Sequence, residues 1–478
     1  MEKKNKKFYI TTAIDYVNAK PHIGHAFEKV LADTLARWHK LQGKEVFFLT
    51  GTDENGQKIV QAAKEAKIPI KEFVDKNAKK FIELCKKLNV QYSDFIRTTD
   101  PEHKKIVQEF FKKVQDKEDI YKGKYEGYYC TGCESFITEK ELVDGKCPEH
   151  NKEPEWLTEE TYFFKLSKYK KELIKFIEKY IIPESRKKEI LTRLKNEELK
   201  DLSVSRQKLD WGIPVPGDKD QKIYVWFDAI INYFSGAKGN WPADIHVIGK
   251  GINWFHSVIW PAMLMSADIE VPKKLLVHGY LNIKGKKISK SSGKTIDPIE
   301  LANKYNADIV RYSLLRCSVF EDSDYSEEIL IERHNNELAN KLGNLVSRVS
   351  ALAEKYGLEE VDFKKINVNI HTKNIVDRIG DYFRNYKLDM ALNSIFTFID
   401  TLNQWVQDKK IWETGSKEDL YELTTGIRLA TVLLWPFLPE TSEKIAKTFG
   451  FKIDLKELDK PLKVIKIKKS PILFKKIK

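Results

Sequence analysis

Residues 7–16, KFYITTAIDY, decide the fold together with the segment that runs on to Gly51. β-Branched and aromatic residues dominate the stretch, which predicts a buried strand. A short polar loop, VNAKP (17–21), leads into a segment from His22 to about Gly43 in which Ile23, Phe27, Val30, Leu31, Leu35 and Trp38 recur at helical spacing. Pro21 stands at the entrance of that helix and Gly43 just past its end, the residue types those positions favour. A second strand, EVFFLTG (45–51), returns toward the same edge. Strand, helix, strand in this order is a βαβ unit, so the sheet is parallel and its ligand is expected at the carboxyl ends of the strands.

Working outward, the stretch from about Tyr121 to Pro154 replaces long periodic segments with turn residues and cysteines, and reads as an insertion. Lys-rich helical sequence follows from about 167 to 200. Strand patterns then resume with KIYVWFDAII (222–231), DIHVIGK (244–250) and KLLVHGYL (274–281), so the sheet is split in sequence. From about Glu327 to Lys447 the period is helical, as in NELANKLGNLVSRVSALAEKY (336–356) and DMALNSIFTFIDTLNQWVQ (389–407). The expected fold class is α/β, with a Rossmann-type parallel sheet split by an insertion and followed by an α-helical bundle. Its expected divisions are 1–115 and 223–325 for the sheet halves, 116–222 for the insertion and 326–478 for the helical domain.

A chain of 478 residues is too long for one hydrophobic core, and two to four domains are the prior. With 42% hydrophobic and 12% aromatic residues, the composition is that of a globular protein and excludes a disordered or collagen-like chain. Lys and Arg number 83 against 70 Asp and Glu, a net charge of +13 that permits a polyanionic partner. Lysine runs such as Lys168 to Lys171 are more often solvated helix faces than phosphate contacts. No window holds the ~18 consecutive apolar residues of a membrane helix. The N-terminus, MEKKNKKFYI, lacks the apolar core and cleavage site of a signal peptide, so a cytoplasmic protein is expected. Five cysteines, three of them within eighteen residues, suit a metal site in a reducing compartment better than a disulfide framework.

Two motifs carry chemistry. Pro21-His22-Ile23-Gly24-His25 sits where the first strand passes into a helix, and two imidazoles there can donate to a polyphosphate. Alone, the pair could equally be two ordinary capping histidines. Lys287-Ile288-Ser289-Lys290-Ser291-Ser292-Gly293 follows the strand-like LLVHGYL. Two lysines flanking a small hydroxyl residue can wrap a leaving pyrophosphate, although a lone Lys-Ser run is usually a basic surface loop. Both motifs in this order, each at a strand end, make coincidence a poor explanation.

A third cluster is Cys130-Thr131-Gly132-Cys133 with Cys147-Pro148-Glu149-His150, thirteen residues apart. Two such pairs on tight turns offer Cys130, Cys133, Cys147 and His150 as tetrahedral ligands of one structural zinc ion. A redox Cys-x-x-Cys or unrelated thiols are the alternatives, and the second pair disfavours both. Cys85 and Cys317 fall in helix-like segments and read as small buried hydrophobes.

With these motifs in place the sequence resembles class I aminoacyl-tRNA synthetases, whose "HIGH" motif is intact here and whose "KMSKS" motif reads KISKS. The Met-to-Ile exchange swaps one apolar residue for another and leaves the lysines in place. Further blocks narrow the resemblance to the methionyl family: TTAIDYVNAKPHIGHA, LTGTDENGQKI, LDWGIPVP, YVWFDAIINY, HVIGKGINWFHSVIWPAML and LLVHGYLNIKGKKISKSSG, in the family's order from about residue 8 to 295. The resemblance implies methionine activation with Mg2+-ATP, followed by transfer to the 3′-terminal adenosine of methionine tRNA, initiator, elongator or both.

By the same resemblance His22, His25, Lys287 and Lys290 are catalytic, and His22, Gly24, His25, His278, Gly279, Lys287, Ser289 and Lys290 bind ATP. Ile14, Tyr16, Asp53, Trp226, Ala229, Ile252 and His256 surround methionine. Aromatic rings suit a thioether, and a carboxylate suits the α-ammonium. Asn344, Arg348 and Trp412 align with positions that read the anticodon, by stacking and base-edge hydrogen bonds. Individually, Trp226 and Ile14 are also what plain core packing would supply. Two departures stand out: Gly251 replaces the family's acidic residue after Gly-Lys, and Ile411 replaces the proline before the tryptophan. In the family, an appended tRNA-binding domain often dimerises the protein; none follows the helical stretch here, so a monomer is expected. The rivals are a synthetase for another amino acid, disfavoured by the short insertion, and a non-catalytic tRNA-binding relative, disfavoured by the intact histidines and lysines.

Overall fold

The computed structural model describes residues 7–130, 135–137, 139–148, 151–207, 209–283, 286–287, 296–358, 372–462 and 466–477 of the chain. The opening stretch forms two strands, β1 (Lys7–Thr12) and β2 (Asp15–Tyr16), because the chain leaves the ladder at Ala13 and Ile14. Then come α1 (Ile23–Leu41), β3 (Glu45–Asp53), α2 (Gln57–Ala66), α3 (Ile70–Lys87), β4 (Asp94–Arg97) and α4 (Pro101–Asp116). The next stretch holds β5 (Ile120–Cys130), β6 (Ser135–Ile137), β7 (Glu155–Phe164), α5 (Lys170–Ile177), β8 (Ile181–Ile182), α6 (Glu184–Asn196) and β9 (Leu202–Ser203). Three short strands, β10 (Ser205–Arg206), β11 (Pro214–Val215) and β12 (Asp218–Ile223), precede α7 (Val225–Ile230) and α8 (Asn232–Ser235). The sheet resumes with β13 (Ile245–Gly249), then a π-helical turn (Phe255–Ile259), α9 (Trp260–Ser266) and β14 (Leu275–His278).

β1 is central. It pairs in parallel with β3 on one side and β13 on the other; β3 also carries β2 and β4, while β13 carries β14 and β14 carries β8. Each of these pairings is parallel, as the βαβ reading requires. Connections leave β1 toward β3 and return from the far side at β13, so the topological switch point lies between β1 and β13. A crevice opens there at the carboxyl ends of the strands. Between the sheet halves, β5 and β7 form a long antiparallel hairpin flanked by β6 and β9, and β10, β12 and β11 make a second small sheet. β8, which also lies between the halves, rejoins the parallel sheet at its edge.

One expected strand is a helix. In KIYVWFDAII the strand ends at Ile223, and Val225–Ile230 is helical. The reason is burial on all sides: Val225, Phe227, Asp228, Ala229 and Ile230 are buried, and a short apolar run covered all round has no period by which to separate the two states. Asp228 fixes the choice, because its carboxylate accepts from Asn55 Nδ2 at 2.7 Å in the loop after β3 and meets His103 Nε2 at 2.8 Å.

The remaining helices are α10 (Pro298–Tyr305), α11 (Ala307–Leu315), α12 (Glu327–Arg333), α13 (Asn344–Tyr356), α14 (Thr372–Arg384), α15 (Leu388–Asp408), α16 (Ile411–Thr414), α17 (Lys417–Leu434) and α18 (Pro439–Phe449). They share one core with α1, on which α11 packs directly and which is buried almost from end to end. Trp38 of α1 stacks on Phe383 of α14 with ring centroids 4.2 Å apart. Because α1 has no solvated face, its charged residues are paired inside. Asp33 Oδ2 meets Arg37 Nε and Arg311 Nη2 at 2.7 Å each, and Arg311 donates to the carbonyls of Leu88, Pro436 and Phe437. Buried charges persist only when paired and hydrogen-bonded in this way. Among the described residues no helix is long and apolar enough to cross a membrane.

Candidate active site

A cavity of about 230 Å3 opens at the switch point, and Ile14, Tyr16, His22, Gly24, His25, Ile252, His278 and Gly279 all line it. Ile14 comes from the break between β1 and β2, Tyr16 from β2, the histidine pair from the start of α1, and His278 from the end of β14. Residues spread over 265 positions of sequence thus meet where a parallel sheet offers a crevice.

The two histidines are set by their own backbone. His22 caps α1: its Nδ1 accepts from Gly24 N at 3.1 Å, and its own N donates to His25 Nδ1 at 3.0 Å, a reciprocal capping box built from imidazoles. Both Nδ1 atoms accept, so Nε2 carries the hydrogen on each ring and each ring is a donor there. The rings lie 3.8 Å apart. A Cβ at residue 24 would sit 2.9 Å from His22 Cε1, which is why glycine separates them. With no acidic residue in the first turn, both imidazoles and the N-terminal turn of α1 line the same cavity, an arrangement suited to phosphate oxygens.

Asp53, Trp226, Ala229 and His256 do not line this cavity. Asp53 is the register partner of Tyr16 and is buried. His256 lies on the π-helical turn. Its Nδ1 donates to Ile252 O at 2.9 Å and its Nε2 accepts from the Tyr233 hydroxyl at 2.7 Å. Burial pushes its pKa down to about 4, so the ring is neutral. Trp226 stacks on Phe255 at 3.8 Å, beside His256, and Ala229 is buried one turn further along α7. The loop after β3 is tied to α7 by the Asn55–Asp228 bond and to residue 211 by Trp211 Nε1 donating to Glu54 O at 2.8 Å. The first of these bonds ties the loop that follows Asp53 to the helix that carries Trp226 and Ala229. Ser289 and Lys290 lie outside the described residues, as does the Lys287 side chain.

Four cavity features escaped the sequence reading. Asp15 and Glu28 line the wall beside Lys29, a fully buried lysine, and Glu28 Oε2 meets His278 Nε2 at 3.1 Å. The available signal was a Glu-Lys pair between apolar positions of a helix with little polar face. The fourth is Tyr280, whose hydroxyl would lie 2.1 Å from a Cβ at residue 251. Lys250 Nζ sits 4.7 Å from the Tyr280 ring centre and bridges at 2.7 Å to Asp322, which also accepts from Tyr280 N. Gly251 is therefore matched to this tyrosine: the space an acidic side chain would need is filled.

Of the expected zinc ligands, Cys133 and His150 lie outside the described residues. Cys130, at the end of β5, and Cys147 are both buried in one small cluster with Ile137, against which Leu142 packs. Two buried thiols in one cluster are donors of the kind a thiophilic metal takes. Among the described residues no group of three metal-binding side chains occurs. In the helical region Asn344 and Arg348 stand one turn apart on α13, and Arg348 lies 5.8 Å from the centre of the Trp412 ring on α16, which is 38% exposed.

Comparison with known proteins agrees with this architecture. The profile of the family described as tRNA synthetases class I (M) matches residues 8–153 and 150–350. A methionine–tRNA ligase of Clostridium acetobutylicum is 42% identical over 99% of this chain and 79% of its own length. Its counterpart in Thermotoga maritima is 42% identical over 93% of this chain and 75% of its own length. Among solved structures, the Mycobacterium tuberculosis methionyl-tRNA synthetase in complex with methionyl-adenylate matches with a TM-score of 0.92 at 35% identity, covering 98% of this chain and 99% of that one. The parallel sheet and the helical C-terminal region thus match that structure, and the chain belongs to the class I methionyl-tRNA synthetase family.

Proposed function

We propose that the chain is an AMP-forming methionine–tRNA ligase, which activates methionine with ATP to methionyl-adenylate and esterifies it onto the 3′-terminal adenosine of methionine tRNA. The observation that carries this reading is the cavity at the switch point, where the His22–His25 cap meets the end of β14. A methionine carboxylate oxygen attacks the α-phosphate in line and pyrophosphate leaves. His22 and His25 donate from Nε2 to the transferring group, while Lys287 and Lys290 neutralise the departing pyrophosphate. Catalysis is then positioning and charge stabilisation, with no proton abstracted from the carboxylate nucleophile. Mg2+ enters with ATP as part of the substrate. The 2′-hydroxyl of the terminal ribose next attacks the adenylate carbonyl and AMP departs.

Methionine is assigned to the Ile14, Tyr16, Asp53, Trp226, Ala229, Ile252 and His256 side. Neutral His256 with its Tyr233 partner and the Trp226 ring suit a thioether, and Asp53 suits the α-ammonium. Gly24, His278, Gly279 and Ser289 belong with ATP. Residues 1–115 and 223–325 form the catalytic unit, 116–222 the insertion and 326–478 the anticodon-binding unit, where Asn344, Arg348 and Trp412 offer base-edge hydrogen bonds and a stacking face. Cys130 and Cys147, with Cys133 and His150, would hold one structural zinc ion, which supplies cross-linking of the insertion and no chemistry.

The test is amino-acid-dependent ATP–pyrophosphate exchange over all twenty amino acids. Exchange with methionine and not with leucine, isoleucine or valine at matched concentration is expected. Equal exchange with leucine would overturn the substrate while leaving the class standing.

A further inference from the structure

The reading of the cavity as a methionine and ATP site uses the histidines and the cavity wall but gives no role to the charges underneath. Lys29, on α1, is 1% exposed and reaches across the break between β1 and β2. Its Nζ donates to Ala13 O at 2.7 Å and to Thr12 Oγ1 at 3.0 Å, lies 3.0 Å from Asp15 Oδ2 and 3.5 Å from Glu28 Oε1. One ammonium thus grips the last residue of β1, the first residue outside the ladder and the first residue of β2. Ile14 is enclosed between those grips, and Tyr16 follows directly in register with Asp53. A strand that leaves its ladder loses backbone partners, and here a buried cation supplies one for the released Ala13 carbonyl.

Resting on the assignment of methionine to this wall, we propose that Asp15 and Lys29 form a charged clasp that sets the Ile14–Tyr16 segment and are positioning residues for methionine. The clasp is also asymmetric in charge. Two carboxylates share one cation, and Glu28 also meets His278 Nε2, whereas Asp15 Oδ2 has the ion pair with Lys29 and no hydrogen bond among the described residues. The ionisable groups whose charge reaches Asp15 are Lys29 and Glu28 of α1. The Cys85 thiol of α3 faces the same cluster and stays neutral, pushed up to about 12 by burial. Glu28 is held below its usual range by Lys29 and His278 against its own burial, so Asp15 is the acid that yields: burial raises it to about 7. Lys29 stays charged, held by Asp15 and Glu28. In the ionised form Asp15 closes the clasp, and protonation loosens it.

The experiment measures steady-state ATP–pyrophosphate exchange on the whole chain for wild type, Asp15→Asn and Lys29→Met from pH 6 to 8.5, with thermal unfolding of each over a wider pH range. The expected result is a rise of about fivefold or more in the methionine KM for both variants at pH 8, with the ATP KM within about twofold. Wild type should show a methionine KM that rises as pH falls through about 7, and Asp15→Asn should lose that dependence. Unfolding gives an independent readout. The folded pKa lies above the ordinary 3.8, so the native state binds the extra proton, and stability from this group falls as pH rises from 3.8 to about 7. Asp15→Asn should flatten that slope. A methionine KM unchanged in folded Asp15→Asn, or an ATP KM that rises equally, overturns the clasp. Should Lys29→Met fail to fold, Asp15→Asn alone decides. If wild type shows no methionine-dependent exchange, the underlying reading fails, a result distinct from failure of the clasp.

Discussion

Replacing Trp412 by alanine should separate tRNA recognition from amino-acid activation if the proposed anticodon assignment holds. The Trp412 ring is 38% exposed with Arg348 5.8 Å from its centre, while its backbone is held by the Tyr356 hydroxyl donating to Trp412 O at 2.7 Å. Alanine removes the ring and keeps that backbone bond, so α16 should stay in place. The lost cation–π contact is worth about 0.5–1 kcal/mol at an exposed site and bears on stability, not on tRNA. The lost stacking face is worth about 1–3 kcal/mol per base, which predicts a fall of roughly ten- to a hundredfold in kcat/KM for tRNA charging. In the proposed mechanism adenylate formation needs no tRNA, so the exchange rate should stay within about twofold of wild type. The assay is both activities on one preparation, with near-ultraviolet circular dichroism as a check on folding. Normal charging by Trp412→Ala would refute the assignment and leave the tryptophan as packing between α13 and α16.

Lys290→Ala should instead depress exchange and charging together by about a hundredfold, because in the proposed mechanism its charge acts on the phosphates; an effect on charging alone would remove it from the catalytic group. Metal analysis of freshly purified active protein should find one zinc per chain, and its retention in His150→Ala would reassign only the fourth ligand. Gly251→Asp forces the Tyr280 hydroxyl away, since a Cβ there would lie 2.1 Å from it, and should raise the ATP KM about tenfold unless Tyr280 is shortened in the same chain. Arg311→Leu leaves Asp33 with one cation and strands the carbonyls of Leu88, Pro436 and Phe437. A loss of about 3–5 kcal/mol in denaturant unfolding is expected, and a loss under about 1 kcal/mol would mean the network is not holding the two halves together.

The parallel sheet is readable in the sequence because a βαβ unit is local: Lys7 to Gly51 contains a strand, its helix and the returning strand, each with its own period. The histidine cap is readable for the same reason, as its hydrogen bonds run between residues 22, 24 and 25. The features that sequence does not reveal depend on partners that only the fold brings close. The break at Ala13 is stabilised by a lysine on α1 that lies 16 positions away. Helix α7 has the pattern of a strand because its apolar side chains are covered on every face, and the residue that settles it, Asp228, meets partners at positions 55 and 103. Gly251 resembles a missing carboxylate in sequence, whereas Tyr280 fills the space above it.

These cases share one helix. α1 begins with the His22 cap at the cavity, carries Glu28 in the cavity wall with Lys29 beside it, and continues through Asp33 and Arg37 to Trp38. At about 1.5 Å per residue, its 19 residues span some 28 Å, from the proposed chemistry to the helical domain. It has no solvated face on which to leave a charge. Glu28, Lys29, Asp33 and Arg37 therefore take partners from other elements as well as from α1 itself, and those partners differ by level: His278 and Asp15 near the cavity, Arg311 and Asn89 farther along. Docking of the helical domain and placement of the histidine pair are thereby requirements on the same rigid body. A shift of α1 that opened the Asp33–Arg311 contact would also draw the Lys29 clasp and the His22 cap with it, because a packed helix moves as a unit and its ion pairs do not stretch gradually.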